Sequence, residues 1–271
     1  MRIFLQILVL TSFVVISSSH IYAQKKRYFY DKKKECHICG KKFNVKIKNE
    51  KRITIRLGMV YRIDDDSDFN YAKKSMLQRN CYAECIHSCP RCHYSDYYWG
   101  FSRYQDEDRN EIIKILEDYK SIEIDDIIEN DIAMKIIKHR SNNQFQLGVL
   151  NLFNSYLLDT TQLERKREYQ RQAISHFESV DLKKKISSIK EFCKLVDTQI
   201  GYPYGVVFMK DGDKLIHSGI LYLIGELYRR TGEFEKAITY FDKVLVEGDD
   251  MIKVKAKLQR QKALEKNDIN I

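Results

Sequence analysis

Residues 218–245 read SGILYLIGELYRRTGEFEKAITYFDKVL. Leu221, Ile224, Gly225 and Tyr228 recur at three- and four-residue spacing, which sets them on one face of a helix. Gly232 marks the end of that helix, and Phe234, Ala237, Phe241, Val244 and Leu245 lay out the face of a second. Counted from Ser218, the small and large residues fall where a tetratricopeptide repeat places them. Packing explains the pattern. Gly225 and Ala237 let two helices approach closely, while Tyr228, Phe234 and Phe241 fill the space around them. The stretch predicts a helical hairpin that must stack on a neighbour to bury its remaining apolar face.

The same period runs upstream. Leu147, Gly148, Leu152 and Tyr156 suit a first helix, and Tyr169, Ala173 and Phe177 its partner, across a connection longer than the repeat normally has. Ile112, Ile113, Leu116 and Tyr119 form one earlier stripe, and Ile124, Ile127, Ile128 and Ile132 another. Ile186, Ile189, Phe192, Cys193, Val196 and Ile200 predict a further amphipathic helix, with Cys193 a buried, inert thiol on its apolar side. Residues 251–266, rich in Lys and Gln, read as a polar capping helix. Composition agrees: 271 residues with only 2 prolines and 11 glycines hold little turn material for a many-stranded sandwich. At 44% hydrophobic residues the chain has enough apolar material for a core, which excludes a disordered chain. The expected fold is mainly α: a tetratricopeptide-like helical-hairpin array over residues 106–271, preceded by a small zinc-ribbon-like β module over residues 24–105.

That module is announced by paired cysteines. Cys36-His37-Ile38-Cys39-Gly40 and Cys89-Pro90-Arg91-Cys92-His93 are two Cys-x-x-Cys knuckles, each aiming two sulfurs at one point. Together Cys36, Cys39, Cys89 and Cys92 make a closed tetrahedral ligand set for structural zinc, with no coordination position left for a catalytic water. Val45, Ile47, Ile53, Ile55 and Leu57 read as the strands of the ribbon. The competing reading is two disulfides. Seven cysteines cannot all pair, and Cys81 and Cys85, four apart, are expected to form a disulfide or to replace a knuckle ligand. His37, His87 and His93 are weighed as ligands too, and each alone reads better as a surface residue.

The net charge of +9 is local. Residues 25–62 carry 14 Lys and Arg against 3 acids, whereas residues 63–271 carry 32 against 35. Residues 1–23 have Arg2, an apolar run over residues 3–16 and Ala23 before a basic stretch, the order of a secretory signal peptide. The run is shorter than the ~20 residues of a transmembrane helix, so a cleaved signal is preferred over an uncleaved anchor. An exported protein, periplasmic or extracellular, rarely meets nucleic acid. The basic segment, with Lys32-Lys33-Lys34 and Lys41-Lys42, is therefore read as a solvated face, or one touching the membrane or another envelope component, rather than a nucleic-acid site.

Taken in order, the first knuckle, Asp66-Ser67-Asp68-Phe69, Cys89-Pro90-Arg91-Cys92 with Tyr94, and the run over residues 222–230 resemble the bacterial family known as domain of unknown function 2225. The resemblance covers residues 35–263 and implies that the four knuckle cysteines are metal ligands. His37 stands where that family usually has proline, His93 where it has glycine, and Ser95 where it has alanine. No enzymatic activity comes with it. Paired catalytic carboxylates, a Ser/His/Asp set, a phosphate loop and a His-Glu-x-x-His helix are all missing from the sequence. Asp64, Asp65, Asp66 and Asp68 lack the glycine and terminal glutamate of a calcium loop and read as a solvated acidic turn. The expectation is a non-enzymatic scaffold that binds an unidentified protein partner in the cell envelope. Glu226, Arg229 and Arg230 are its candidate partner-binding residues, weighed against an ion pair between helices.

Overall fold

The computed structural model describes residues 29–48, 86–97, 100–101, 108–182, 184–189, 191 and 213–269. The expected signal peptide, Cys81, Cys85, Cys193, the Asp64–Asp68 turn and the strands at Ile53, Ile55 and Leu57 lie outside these residues. Two antiparallel hairpins come first: β1 (Phe29–Glu35) with β2 (Lys42–Lys48), and β3 (Ile86–Ser88) with β4 (Ser95–Tyr97). Helices follow: α1 (Arg109–Glu117), α2 (Asp126–Arg140), α3 (Gln144–Leu157), α4 (Leu163–Glu178), α5 (Asp213–Thr231), α6 (Phe234–Glu247) and α7 (Asp250–Ile269). The protein is mainly α with a small β module at its head.

Local chemistry sets the helix ends. Asp125 caps α2 by accepting from the Ile128 amide at 2.8 Å, and Asn143 caps α3 from the Gln146 amide at 3.2 Å. Gly232 ends α5 with φ +88, and the Glu233 amide reaches back to the Tyr228 carbonyl at 2.9 Å. That is a Schellman stop, which favours glycine because the backbone is left-handed there. α6 restarts two residues later and packs on α5, as the hairpin pattern predicts. A Cβ on Gly225 would sit 2.9 Å from the Phe241 ring, so the small residue is needed for the helices to meet. Gly148 plays the same part against Phe177, where a Cβ would lie 2.7 Å from the ring.

α3 is apolar on almost every side, and nearly all its residues from Phe145 to Leu157 are buried, so it forms the middle of the molecule. It packs against α2 and α4, and α4 against α5. The residues between α3 and α4 include a short 3-10 turn, Thr160–Gln162, which accounts for the long connection read from sequence. α7 buries Ile252, Ala256, Gln259 and Ala263 at spacings of four, three and four, and docks on α6 and α5.

Two apolar clusters meet along α2. Ile132 and Ile136 pack with Cys36, Ile38, Cys89, Tyr94, Phe101, Ile112 and Leu116. One residue round the helix, Ala133 and Ile137 belong to the core of α3–α7, together with Ile86 of β3 and Tyr97 of β4. The core around the cysteines therefore runs through α1 and α2, and α2 and the second hairpin join the knuckles to the helical body.

Candidate metal centre

Each knuckle is the tip of a β-hairpin. The Cys36 amide donates to the Lys41 carbonyl at 2.9 Å and the Gly40 amide to the Cys36 carbonyl at 2.7 Å. In the second, the Cys89 amide donates to the Tyr94 carbonyl and the His93 amide to the Cys89 carbonyl, both at 2.9 Å. Both turns need a left-handed residue four places after the first cysteine, supplied by Gly40 (φ +71) and His93 (φ +59). Identical backbone bonding makes the two turns present their sulfurs alike.

The four sulfurs converge. The Cys36 and Cys92 Sγ atoms are 3.6 Å apart, those of Cys39 and Cys89 are 3.5 Å apart, and all four lie within 4.8 Å of one another. All four are free thiols. Sulfurs at ~2.3 Å from a tetrahedral zinc stand about 3.8 Å from each other, so the donor set fits the metal in both chemistry and spacing. Cys36 and Cys89 are fully buried, while Cys39 and Cys92 are partly exposed.

The thiols perturb one another. A hydrogen bond from the Cys92 thiol brings Cys36 down to about 5, against the opposing effect of burial. The same bond pushes Cys92 up, and burial raises Cys89 to about 11. A dication held among them would supply the positive charge that lets all four sulfurs ionise together.

A second ring of residues holds the knuckles. Tyr94 is wholly buried, donates its hydroxyl to Asp96 Oδ2 at 2.5 Å and accepts from Arg140 Nη1 at 2.7 Å. Arg140, at the end of α2, also pairs with Asp96 at 3.5 Å and lies 3.4 Å from His37 Nε2. The His37 and Tyr94 rings meet edge to face at 4.6 Å, and Phe101 packs edge-on to both Tyr94 and Phe43. From α1, Arg109 grips the Ile38 carbonyl with Nε at 3.0 Å and Nη2 at 2.8 Å. Helices α1 and α2 thus each send an arginine into the knuckles.

Among the described residues, no histidine joins the sulfur cluster. None of the three is a plain surface residue either: His37, His87 and His93 are each partly buried. Burial, and then the Lys34 charge, push His87 down to about 4, so it is neutral at physiological pH. Glu226, Arg229 and Arg230 sit inside the helical body. Glu226 receives Arg229 Nε at 2.8 Å, Arg229 Nη2 at 2.9 Å and Arg230 Nε at 2.6 Å, all within α5. The Glu226 and Arg229 side chains are only 5% and 3% exposed. Sequence reading missed Asp96, Arg109 and Arg140. Arg140 reaches Asp96 across 44 residues and Arg109 reaches the Ile38 carbonyl across 71, so no local pattern marks these residues.

A mainly helical protein headed by a four-cysteine knuckle pair is the class that fold and site define. The chain belongs to the bacterial family described as "Uncharacterized protein conserved in bacteria (DUF2225)", whose model matches residues 29–265. No curated protein and no solved structure matches it. No helix among the described residues is long and apolar enough to cross a membrane.

Proposed function

We propose that this is an exported, non-enzymatic scaffold protein, in which a structural zinc staples the knuckle module and a tetratricopeptide-like helical array holds a protein partner of the cell envelope. The observation that carries the reading is the convergence of Cys36, Cys39, Cys89 and Cys92 within 4.8 Å at the foot of α1 and α2. Four protein sulfurs use every position of a tetrahedral ion, so the ion's role is to fold the module and orient the helices. The hairpin of α5 and α6, closed by Gly225 against Phe241 and followed by the docked α7, supports the array. Stacked pairs of this kind hold extended segments of other proteins along their length. The exposed Lys32, Lys33, Lys41 and Lys42 of the first hairpin suit contact with an anionic envelope surface.

Metal analysis with thiol counting on the purified full chain tests the staple. The expected outcome is close to one zinc per chain with the knuckle thiols protected from alkylation. Less than about half an equivalent after reduction and reloading with zinc sinks it. Crosslinked capture from the envelope fraction tests the scaffold. A defined partner lost on deleting α7 is expected, whereas a cytoplasmic protein retaining residues 1–23 would oppose the export reading.

A further inference from the structure

We infer that the sulfur cluster is a reversible redox staple: hydrogen peroxide converts it to two cross-knuckle disulfides, Cys36–Cys92 and Cys39–Cys89, and the metal leaves. The inference rests on the reading that the cluster holds zinc. Three observations carry it. First, the pairs at 3.6 and 3.5 Å each join one knuckle to the other, so each sulfur already has a cross-knuckle partner within about 1.5 Å of the ~2.05 Å of a disulfide. Second, each pair couples a partly exposed cysteine to a fully buried one: Cys92 to Cys36, and Cys39 to Cys89. The partly exposed cysteine is the one nearer solvent and a small oxidant, and its sulfenic acid has the buried partner beside it to condense with. Third, the hydrogen bonds that shape the knuckles are backbone bonds, from the Cys36 and Gly40 amides and from the Cys89 and His93 amides, and need no metal.

The reaction balances. The thiolate of each partly exposed cysteine takes one oxygen from a peroxide, which leaves as water after protonation. The thiolate of its buried partner then displaces the sulfenic oxygen as a second water, and the sulfur–sulfur bond forms. Over the cluster, four thiolates lose four electrons to two peroxides, four protons are consumed, four waters form, and the dication is released. Because both bonds cross between knuckles, they tie the same two hairpins that the metal ties. The module therefore keeps its shape in either state, and what changes is whether it carries metal. A reductant and zinc reverse the change.

The test uses the full chain with Cys81→Ser, Cys85→Ser and Cys193→Ser, beside the wild-type chain in case that variant does not fold. Zinc content is measured first. Hydrogen peroxide is then added while free zinc is followed with a chromogenic chelator, and the product is mapped by peptide mass spectrometry without reduction. The expected result is complete zinc release with loss of the knuckle thiols, peptides linking Cys36 to Cys92 and Cys39 to Cys89, and an unchanged circular dichroism spectrum. Dithiothreitol with zinc should restore at least about nine-tenths of the metal. Links within a knuckle, Cys36–Cys39 and Cys89–Cys92, would overturn the proposal, as would over-oxidised thiols without disulfides. A chain that binds no zinc at the outset defeats the metal reading instead, and the disulfide map on that sample still decides the pairing.

Discussion

Gly40 and His93 hold matching places in the two knuckles, yet only one of them is a glycine. A side chain at a left-handed φ costs ~1–2 kcal/mol, partly offset by glycine's greater freedom in the unfolded chain. His93→Gly should therefore stabilise the protein by ~0.5–1 kcal/mol, seen as a rise in the urea midpoint with unchanged slope. Gly40→Ala should do the reverse by about 1 kcal/mol, and for a purely conformational reason, since a Cβ there meets nothing within 4 Å. If the two substitutions move stability in the same direction, the shared turn geometry is not what governs them. The ligands were legible in the sequence because two Cys-x-x-Cys turns are local signals. Asp96 and Arg140 were not, because their ion pair joins residues 44 apart that no period relates. Glu226 and Arg229 left two readings open in the sequence, a polar contact surface or an ion pair, and the structure makes a bidentate bond between them, within one helix and inside the core.

Helices were legible wherever one apolar stripe dominates, as along α5 and α6. α2 is harder to read because it carries two. The stripe of Ile124, Ile127, Ile128 and Ile132 suggests an earlier start, whereas α2 begins at Asp126 and buries Ile132 and Ile136 on one side and Ala133 and Ile137 on the other. α4 illustrates a different tension, since its first turns bury Lys166, which is only 3% exposed. Burial, and then the Arg230 charge, lower its pKa to about 7. An unfolded lysine titrates near 10.4, so between pH ~7 and ~10 the unfolded chain binds the extra proton and stability rises with pH. The favourable contribution is complete above the unfolded value and is lost as pH falls through the folded one. Denaturant melts at pH 7 and pH 9.5 should thus show a gain of ~1–3 kcal/mol at the higher pH, which Lys166→Met abolishes while raising stability at pH 7. A variant that keeps the wild-type pH dependence would place the titration on another group.

At the scale of the molecule, two cores share one helix, and the consequence concerns how far the metal's influence reaches. The cluster around Cys36 and Cys89 is small and leans on four sulfurs, while the body is built on Phe153, Phe177, Phe241 and the apolar residues about them. On the proposed zinc staple, removing the ion takes the tie from the first core and leaves the second its own packing, so opening should be regional rather than global. Hydrogen exchange on chelator-treated full chain is expected to show β1, β2 and α1 losing at least about tenfold in amide protection, β3 and β4 losing less because Ile86 and Tyr97 pack on the body, and α5 and α6 changing by less than about threefold. α2 should divide along its faces' allegiance, losing protection because Arg140 and Ile136 lose their partners, yet retaining more than α1 because Ala133 and Ile137 still pack on the body. An even loss along the whole chain would mean that the knuckles and helices fold as one cooperative unit. A regional loss would make α2, beside Ile86 and Tyr97 of the second hairpin, the element through which metal occupancy is felt by the helical body, because among the described residues it is the one helix whose packing belongs to both cores.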